Sequence, residues 1–250
     1  MNPPLPPAST SNRIAAVVFD MDGVLIDSHP VHRRAWIQFL RTIGREVPES
    51  ELNFILDGHK RTDILRHFLG DLSPAELEDF GRRKDLFFQQ SASEVAPIPG
   101  VPAFVADLAA QDIALAVATS ASETRTLETL ERLQLKKYFN AIVTAGDVRR
   151  GKPDPAIYRI ACERLNVAPS RALAVEDAVA GIEAARAAGL GACIAVANHT
   201  HAEKMILAGA SLVIRDFRQQ SFAAIRAALA RTRSASATQS LPPTPLRHPA

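Results

Sequence analysis

Three aspartates, Asp20, Asp22 and Asp27, follow directly on the apolar run IAAVVF (14–19), and a second acidic pair, Glu176 and Asp177, follows the apolar run ALAV (172–175). Acidic clusters delivered to one sheet edge by neighbouring strands repel each other strongly unless a positive charge sits between them. A hard divalent cation suits that place. Mg²⁺ takes a few carboxylates, keeps waters and bridges to phosphate oxygens, so the pattern points to phosphoryl chemistry. Two further runs supply what a phosphate needs. After IALAVA come Thr119, Ser120, Ala121 and Ser122, small residues and hydroxyls leading into a helical pattern whose first N–H groups favour an anion. After AIVTAGDVRRG comes Lys152, an ammonium to offset negative charge, with Pro153 fixing the backbone beside it.

Each feature alone has a plainer reading. A D-x-D after a strand serves as a turn or cap, Thr-Ser as a helix N-cap, Lys152 as a solvated loop lysine, and Glu176-Asp177 as a capping pair. What lifts them is their order, since all four clusters fall at successive strand ends.

The elements that must position these groups read as follows. IAAVVF (14–19), IALAVAT (113–119), AIVTA (141–145), ALAV (172–175) and ACIAV (192–196) are short, apolar and partly β-branched, as buried strands are. TLETLERLQL (126–135), PAIYRIACERL (155–165) and AGIEAARAAG (180–189) carry apolar residues at helical spacing, the last closing on Gly189. Strict alternation of strand and helix predicts an α/β fold, an open doubly wound parallel sheet with crossover helices. In such sheets ligands bind beyond the carboxyl ends of the strands.

The interval 28–97 breaks the alternation. It holds only helical patterns, VHRRAWIQFLRTIG, RTDILRHFLG and SPAELEDFGRRKDLFFQQ, the last with Ser73 as its cap. A small helical cap domain over 28–97 is therefore expected, inserted after the first strand and serving as a lid, with PIPGVP (97–102) as the linker back. The core would comprise 13–27 and 98–232, and the Pro- and Ser-rich ends, 1–12 and 233–250, would be disordered tails.

Composition excludes more than it identifies. With 29 basic and 27 acidic residues in 250, the net charge of +2 gives no global argument for nucleic acid or a membrane as partner. Cys162 and Cys193 lack a CxxC spacing and read as unbridged core residues of a reducing compartment. No signal-type apolar segment and no run near the ~18 residues of a membrane helix is present, so a cytoplasmic protein is expected, and a monomer. His199 and His201 in NHTH have a spacing compatible with a transition metal, against the plainer reading of a capping Thr200 between two exposed imidazoles.

FDMDGVLIDS, ATSAS, GKPDP and VEDAVAGIEAARAAG resemble, in order and spacing, the four motifs of the haloacid dehalogenase-like hydrolase superfamily, over residues 17–189. The helical insert resembles the smaller cap class shared by phosphoglycolate-type phosphatases and β-phosphoglucomutase. The resemblance implies a Rossmann-like core in which Asp20 is the nucleophile that forms an aspartyl-phosphate and Asp22 the general acid and base. It implies Mg²⁺ held by Asp20, the Asp22 main chain, Glu176 and Asp177. Thr119, Ser120 and Ala121 would surround the phosphoryl group, and Lys152 would offset its charge.

In the cap, the H-x-x-A-W pattern sets His32 and Trp36 one helical turn apart. It resembles that of β-phosphoglucomutase and its sugar-phosphatase relatives, where the histidine couples cap closure to acid/base function. The plainer reading has Trp36 in the cap core and His32 at the surface. DGHKRTDIL (57–65) resembles a substrate-specificity loop, with Gly58 for the turn and Arg61 for a substrate phosphate, and Lys84 falls near a further phosphate-contacting lysine. Asp57 departs from the mutase pattern, which has a lysine there. That charge reversal disfavours a bisphosphate intermediate, although His59 and Lys60 stand near enough to compensate.

The resemblance thus implies an Mg²⁺-dependent phosphatase of a small phosphorylated metabolite, a sugar phosphate, with β-phosphoglucomutase activity as the alternative. A dehalogenase would leave Glu176 and Asp177 without purpose. A non-catalytic module recruiting partners through PPTPLRHPA fits poorly with the intact set of Asp20, Asp22, Thr119, Lys152 and Asp177.

Overall fold

A computed structural model describes residues 14–197 and 201–239. The chain opens on β1 (Ala16–Phe19) and the two-residue strand β2 (Ile26–Asp27), then runs through α1 (His29–Thr42), α2 (Asn53–Leu56), α3 (Arg61–Leu69) and α4 (Pro74–Gln90). After β3 (Ala96–Pro97) helix and strand alternate: α5 (Val101–Ala110), β4 (Ala114–Ala118), α6 (Glu123–Arg132), β5 (Ala141–Val143), α7 (Ala156–Arg164), β6 (Ala172–Glu176), α8 (Val179–Ala187), β7 (Ala192–Val196), α9 (Ala202–Ala208), β8 (Leu212–Ile214) and α10 (Phe222–Gln239).

Six strands form one parallel sheet in the order β5-β4-β1-β6-β7-β8. The period of two along each strand sorts side chains by size onto the two faces. Val17, Phe19, Leu115, Val117, Leu173 and Val175 face α5 and α10, where Phe104, Leu108, Ile225 and Leu229 cover them. Ala16, Val18, Ala116, Ala118, Ala172 and Ala174 face the other way, and these small residues let α7 and α8 settle close, with Tyr158, Ala161, Ile182 and Ala185 against the sheet. Both faces are thereby covered, as a parallel sheet requires.

The register matters for the site. Phe19 pairs with Val117 of β4 and Val175 of β6, so the three strands end nearly level. The ladder continues one residue further, with the Asp20 N–H donating to the Val175 carbonyl at 2.9 Å and the Thr119 N–H to the Val143 carbonyl at 3.0 Å.

Residues between β2 and β3 form the helical insert, with its own apolar cluster of Trp36, Phe39, Leu40, Ile55, Ile64, Leu65, Phe68 and Leu77. Ser73 caps α4 in a reciprocal box with Glu76, as the sequence predicts.

Some expectations are corrected. The stretch read as a plain linker at 97–102 instead pairs Ala96–Pro97 antiparallel to Ile26–Asp27 and then enters α5, because two chain segments crossing between insert and core satisfy each other's backbone groups. AIVTA is strand only to Val143, since the Thr144 hydroxyl and N–H turn to Asp147 Oδ2. α10 continues to Gln239, into the stretch expected as a disordered tail, because no proline or glycine interrupts it before Pro242. β8 carries no strong strand pattern of its own and is recruited by pairing with β7. Residues 1–12 and the His199–Thr200 part of NHTH lie outside the described residues. Cys162 and Cys193 are free and buried, as expected.

Candidate active site

The carboxyl ends of β1, β4 and β6 and the loop after β5 meet beneath the helical insert around a cavity of about 380 Å³. Asp20 stands at its floor. Its Oδ1 accepts a hydrogen bond from Lys152 Nζ at 2.6 Å, and the same ammonium donates to Glu176 Oε1. Tyr158 reaches Glu176 Oε1 from α7 with its hydroxyl. Burial raises the pKa of Asp20, with Lys152 opposing it and Glu176, Asp177 and Asp22 adding to it. Lys152 is held upward by Asp20 and Glu176 against its own burial, so it stays an ammonium.

One oxygen each of Asp20, Glu176 and Asp177 lies within 4.8 Å of the others. Three oxygen donors, those of Asp20 and Glu176 buried and that of Asp177 partly so, fit a hard divalent ion such as Mg²⁺. Within the trio Glu176 differs from its partners: its Oε1 carries both Lys152 and Tyr158, and its Oε2 accepts the Asp177 N–H at 3.2 Å. Its geometry makes it first a post that fixes Lys152. Asp177 is raised by burial and opposed by His29, whose Nε2 stands 3.0 Å from Asp177 Oδ2. Burial works against a charge on His29, yet the hydrogen bond and the Asp177 charge carry its pKa up to about 9.

Asp22 sits in a different environment. Arg125 grips both its oxygens, Nη1 to Oδ1 at 2.9 Å and Nη2 to Oδ2 at 2.5 Å, and the Ser28 hydroxyl donates to Oδ1 at 2.6 Å. Burial would raise this carboxyl, but Arg125 and His32 hold it well below the usual range. His32 stands between insert and core, its Nε2 at 3.3 Å from Asp22 Oδ1 and its Nδ1 at 3.1 Å from Lys84 Nζ. Burial, followed by the Lys84 charge, pushes His32 down to about 3, so the neutral ring accepts from Lys84 at Nδ1 and donates to Asp22 at Nε2. Lys84 is itself brought down to about 8 by burial.

The phosphate-type loop follows β4. Thr119 is buried, its Oγ1 accepting the Ala121 N–H at 3.2 Å, while Ser122 caps α6. Ser120 donates its hydroxyl to the Gly58 carbonyl at 2.8 Å, and Lys60 donates to the Val148 carbonyl at 2.8 Å, so the loop at 57–61 is tied to the core at two points. Gly58 has φ +81°, the left-handed conformation a turn there requires.

The structure brings Asp20, Asp22, Thr119, Ser120, Ala121, His32, Trp36, Gly58, Arg61, Lys84 and Asp177 to the cavity wall and sets Lys152 and Glu176 just behind it. Three details differ from the sequence reading. His32 is largely enclosed, with 13% of its side chain exposed, against the plainer reading of a surface residue; Trp36 packs in the cluster of the insert, as that reading has it, and also lines the cavity. Arg61 pairs with Asp85. Asp57 does not line the cavity and lies 4.0 Å from Lys204 of α9. Sequence reasoning missed Arg125, His29, Tyr158 and Asp85. A cation in the first turn of a helix opposes the helix dipole, and both Arg125 near the start of α6 and His29 at the start of α1 carry that signal of a nearby anion.

Residues 14–189 match the family described as haloacid dehalogenase-like hydrolase. The chain belongs to this family. A phosphorylated carbohydrates phosphatase of Thermotoga maritima is 35% identical over 206 residues, covering 80% of this chain and 94% of that protein. A β-phosphoglucomutase of Bacillus subtilis is 32% identical over 185 residues, covering 70% of this chain and 80% of its own. Among solved structures, a β-phosphoglucomutase from Clostridium difficile superposes with a TM-score of 0.78 at 25% identity, covering 88% of this chain and 99% of that one. No helix among the described residues of this haloacid dehalogenase-like hydrolase is long and apolar enough to cross a membrane.

Proposed function

We propose that this enzyme acts on phosphate esters as an Mg²⁺-dependent phosphatase of small phosphorylated metabolites, sugar phosphates above all, through an aspartyl-phosphate. The observation that carries this reading is Asp20, held at 2.6 Å by Lys152 inside a trio of clustered carboxylates at the floor of a capped cavity. The sugar-phosphate chemistry named for the relatives supports the substrate class.

In the first half-reaction an Asp20 oxygen attacks phosphorus and the bond to the leaving alkoxide breaks. Asp22, which Arg125 and His32 hold ionised, first takes up a proton from solvent and then passes it to that alkoxide. In the second, Asp22 takes a proton from water, the water oxygen bonds to phosphorus, and the Asp20–phosphorus bond breaks to release inorganic phosphate and restore the carboxylate. Lys152 offsets the charge gathering on Asp20 and the phosphoryl oxygens, with Thr119 and Ser120 at the far side. Asp20, the Asp22 main chain, Asp177 and, behind them, Glu176 would hold Mg²⁺, which when bound neutralises charge between these carboxylates and the phosphoryl group.

One observation favours the alternative mutase reading. The relay from Lys84 through His32 to Asp22 couples the position of the insert to the acid/base carboxylate, which suits an enzyme that must close over a sugar rather than over water. A ³¹P NMR time course with Mg²⁺ and a panel of sugar phosphates, including β-glucose 1-phosphate primed with its 1,6-bisphosphate, separates the two. Inorganic phosphate as sole product supports the phosphatase. Glucose 6-phosphate growing at the expense of the 1-phosphate overturns it in favour of the mutase.

A further inference from the structure

The wall of the cavity contributed by the insert carries three cations, Lys60, which is tied to the Val148 carbonyl, Arg61 at the start of α3 and Lys84 on α4, and one carboxylate, Asp85, beside Lys84 on the same helix. Arg61 Nη1 pairs with Asp85 Oδ2, and Asp85 Oδ1 lies 3.6 Å from Lys84 Nζ. The Arg61–Asp85 pair is built into the packing of the two helices. Arg61 lies along α4 over Gly81, where a Cβ would stand 2.5 Å from the Arg61 Nε and 2.6 Å from its Cζ. Glycine there leaves the guanidinium room to lie against α4 and reach Asp85 one turn further on. Arg61 and Asp85 also line a second cavity, of about 490 Å³, so the pair stands as a partition between the two spaces.

The consequence concerns the end of the substrate remote from the reacting phosphate. An arginine fork binds a phosphate through two parallel hydrogen bonds, and a carboxylate already paired with one arm of that fork competes with the phosphate and repels it. Polyol hydroxyls are indifferent to that competition. They find an acceptor in Asp85 and donors in Arg61 and Lys84.

Resting on the phosphatase reading above, we propose that Asp85 is a specificity-determining residue that, by occupying Arg61, restricts the site to sugar or polyol monophosphates with a hydroxylated far end and rejects substrates bearing a second phosphate there. The role assigned to Asp57 from sequence passes to Asp85, which faces the cavity.

The test compares fructose 1-phosphate with fructose 1,6-bisphosphate, alike at the reacting end and different at the far end. Asp85→Asn, isosteric and only partly buried, is expected to raise the ratio of kcat/KM for bisphosphate over monophosphate about tenfold. In an Arg61→Ala background the same substitution should leave the ratio unchanged, because Asp85 acts through Arg61. An unchanged ratio in Asp85→Asn alone, or a rise that survives in the Arg61→Ala background, overturns the proposal. Calorimetric titration of both compounds into Asp20→Asn and Asp20→Asn/Asp85→Asn reads the same ratio without turnover. If the wild-type enzyme hydrolyses neither compound while the binding ratio still shifts, only the phosphatase reading fails. If neither compound binds, both fail.

Discussion

Arg125 grips both oxygens of Asp22 from a position 103 residues further along the chain, at 2.9 and 2.5 Å. A bidentate fork fixes the plane of a carboxylate as well as its charge. With Ser28 and His32 on Oδ1, Asp22 is held in one orientation before any substrate arrives. Arg125→Ala should lower kcat by about 10²-fold, within the range general acid/base catalysis contributes, with a smaller change in KM. Arg125→Lys keeps the charge but loses the fork, and should recover little of the loss. Steady-state kinetics on the best sugar phosphate checks both; full rescue by lysine would reduce Arg125 to a point charge.

Lys152 is wholly buried between Asp20 and Glu176, so replacing it by methionine leaves two buried carboxylates without their counter-ion. Breaking a buried ion pair from one side costs about 3–5 kcal/mol. Lys152→Met should therefore lose activity and lose stability of that order in urea unfolding. The loss should be larger in EDTA than in Mg²⁺, since a bound cation would take over part of the neutralisation.

Much of this site is legible in sequence because its parts are local. Asp20 and Asp22, Thr119 and Ser120, and Glu176 and Asp177 each follow directly on a run that folds as a strand, and parallel pairing in level register delivers them to one edge. Lys152 follows the β5 run by a longer loop yet arrives at the same place. The groups that tune the site are not legible in that way. Arg125, Asp85 and Tyr158 lie on helices, where a charged or amphipathic residue is ordinarily solvated, and only the packing of those helices shows that they face inward. Asp57 and Asp85 make the point in opposite directions: the first stands in a suspect motif and turns out toward Lys204, the second stands in an unremarkable helical run and faces the cavity.

The carboxylate trio makes a metal prediction. A ligand that binds only the folded state stabilises it by about 2.7 kcal/mol at a hundredfold excess over its Kd. Mg²⁺ should raise the Tm of the wild-type protein in a dose-dependent way, and Asp177→Asn should abolish most of that rise while leaving the fold intact by circular dichroism. A Tm that ignores Mg²⁺ in the wild type would remove the trio from the list of cation sites.

Burial lowers Lys84 to about 8 in the folded state, against an ordinary value of 10.5. Between those two pH values the unfolded chain holds a proton that the folded protein has released, so stability rises with pH across that window and is flat just below it. A lysine depressed this far disfavours folding by about 3 kcal/mol at neutral pH, an amount regained as pH climbs toward 10.5. Lys84→Met removes the group and should flatten the rise. Urea unfolding at pH 7.5, 9 and 10.5 on both proteins reads the difference directly: a wild-type curve parallel to that of Lys84→Met would mean that the ammonium is fully stabilised by His32 and Asp85, and that the relay to Asp22 is charged at its outer end at every pH where the enzyme works.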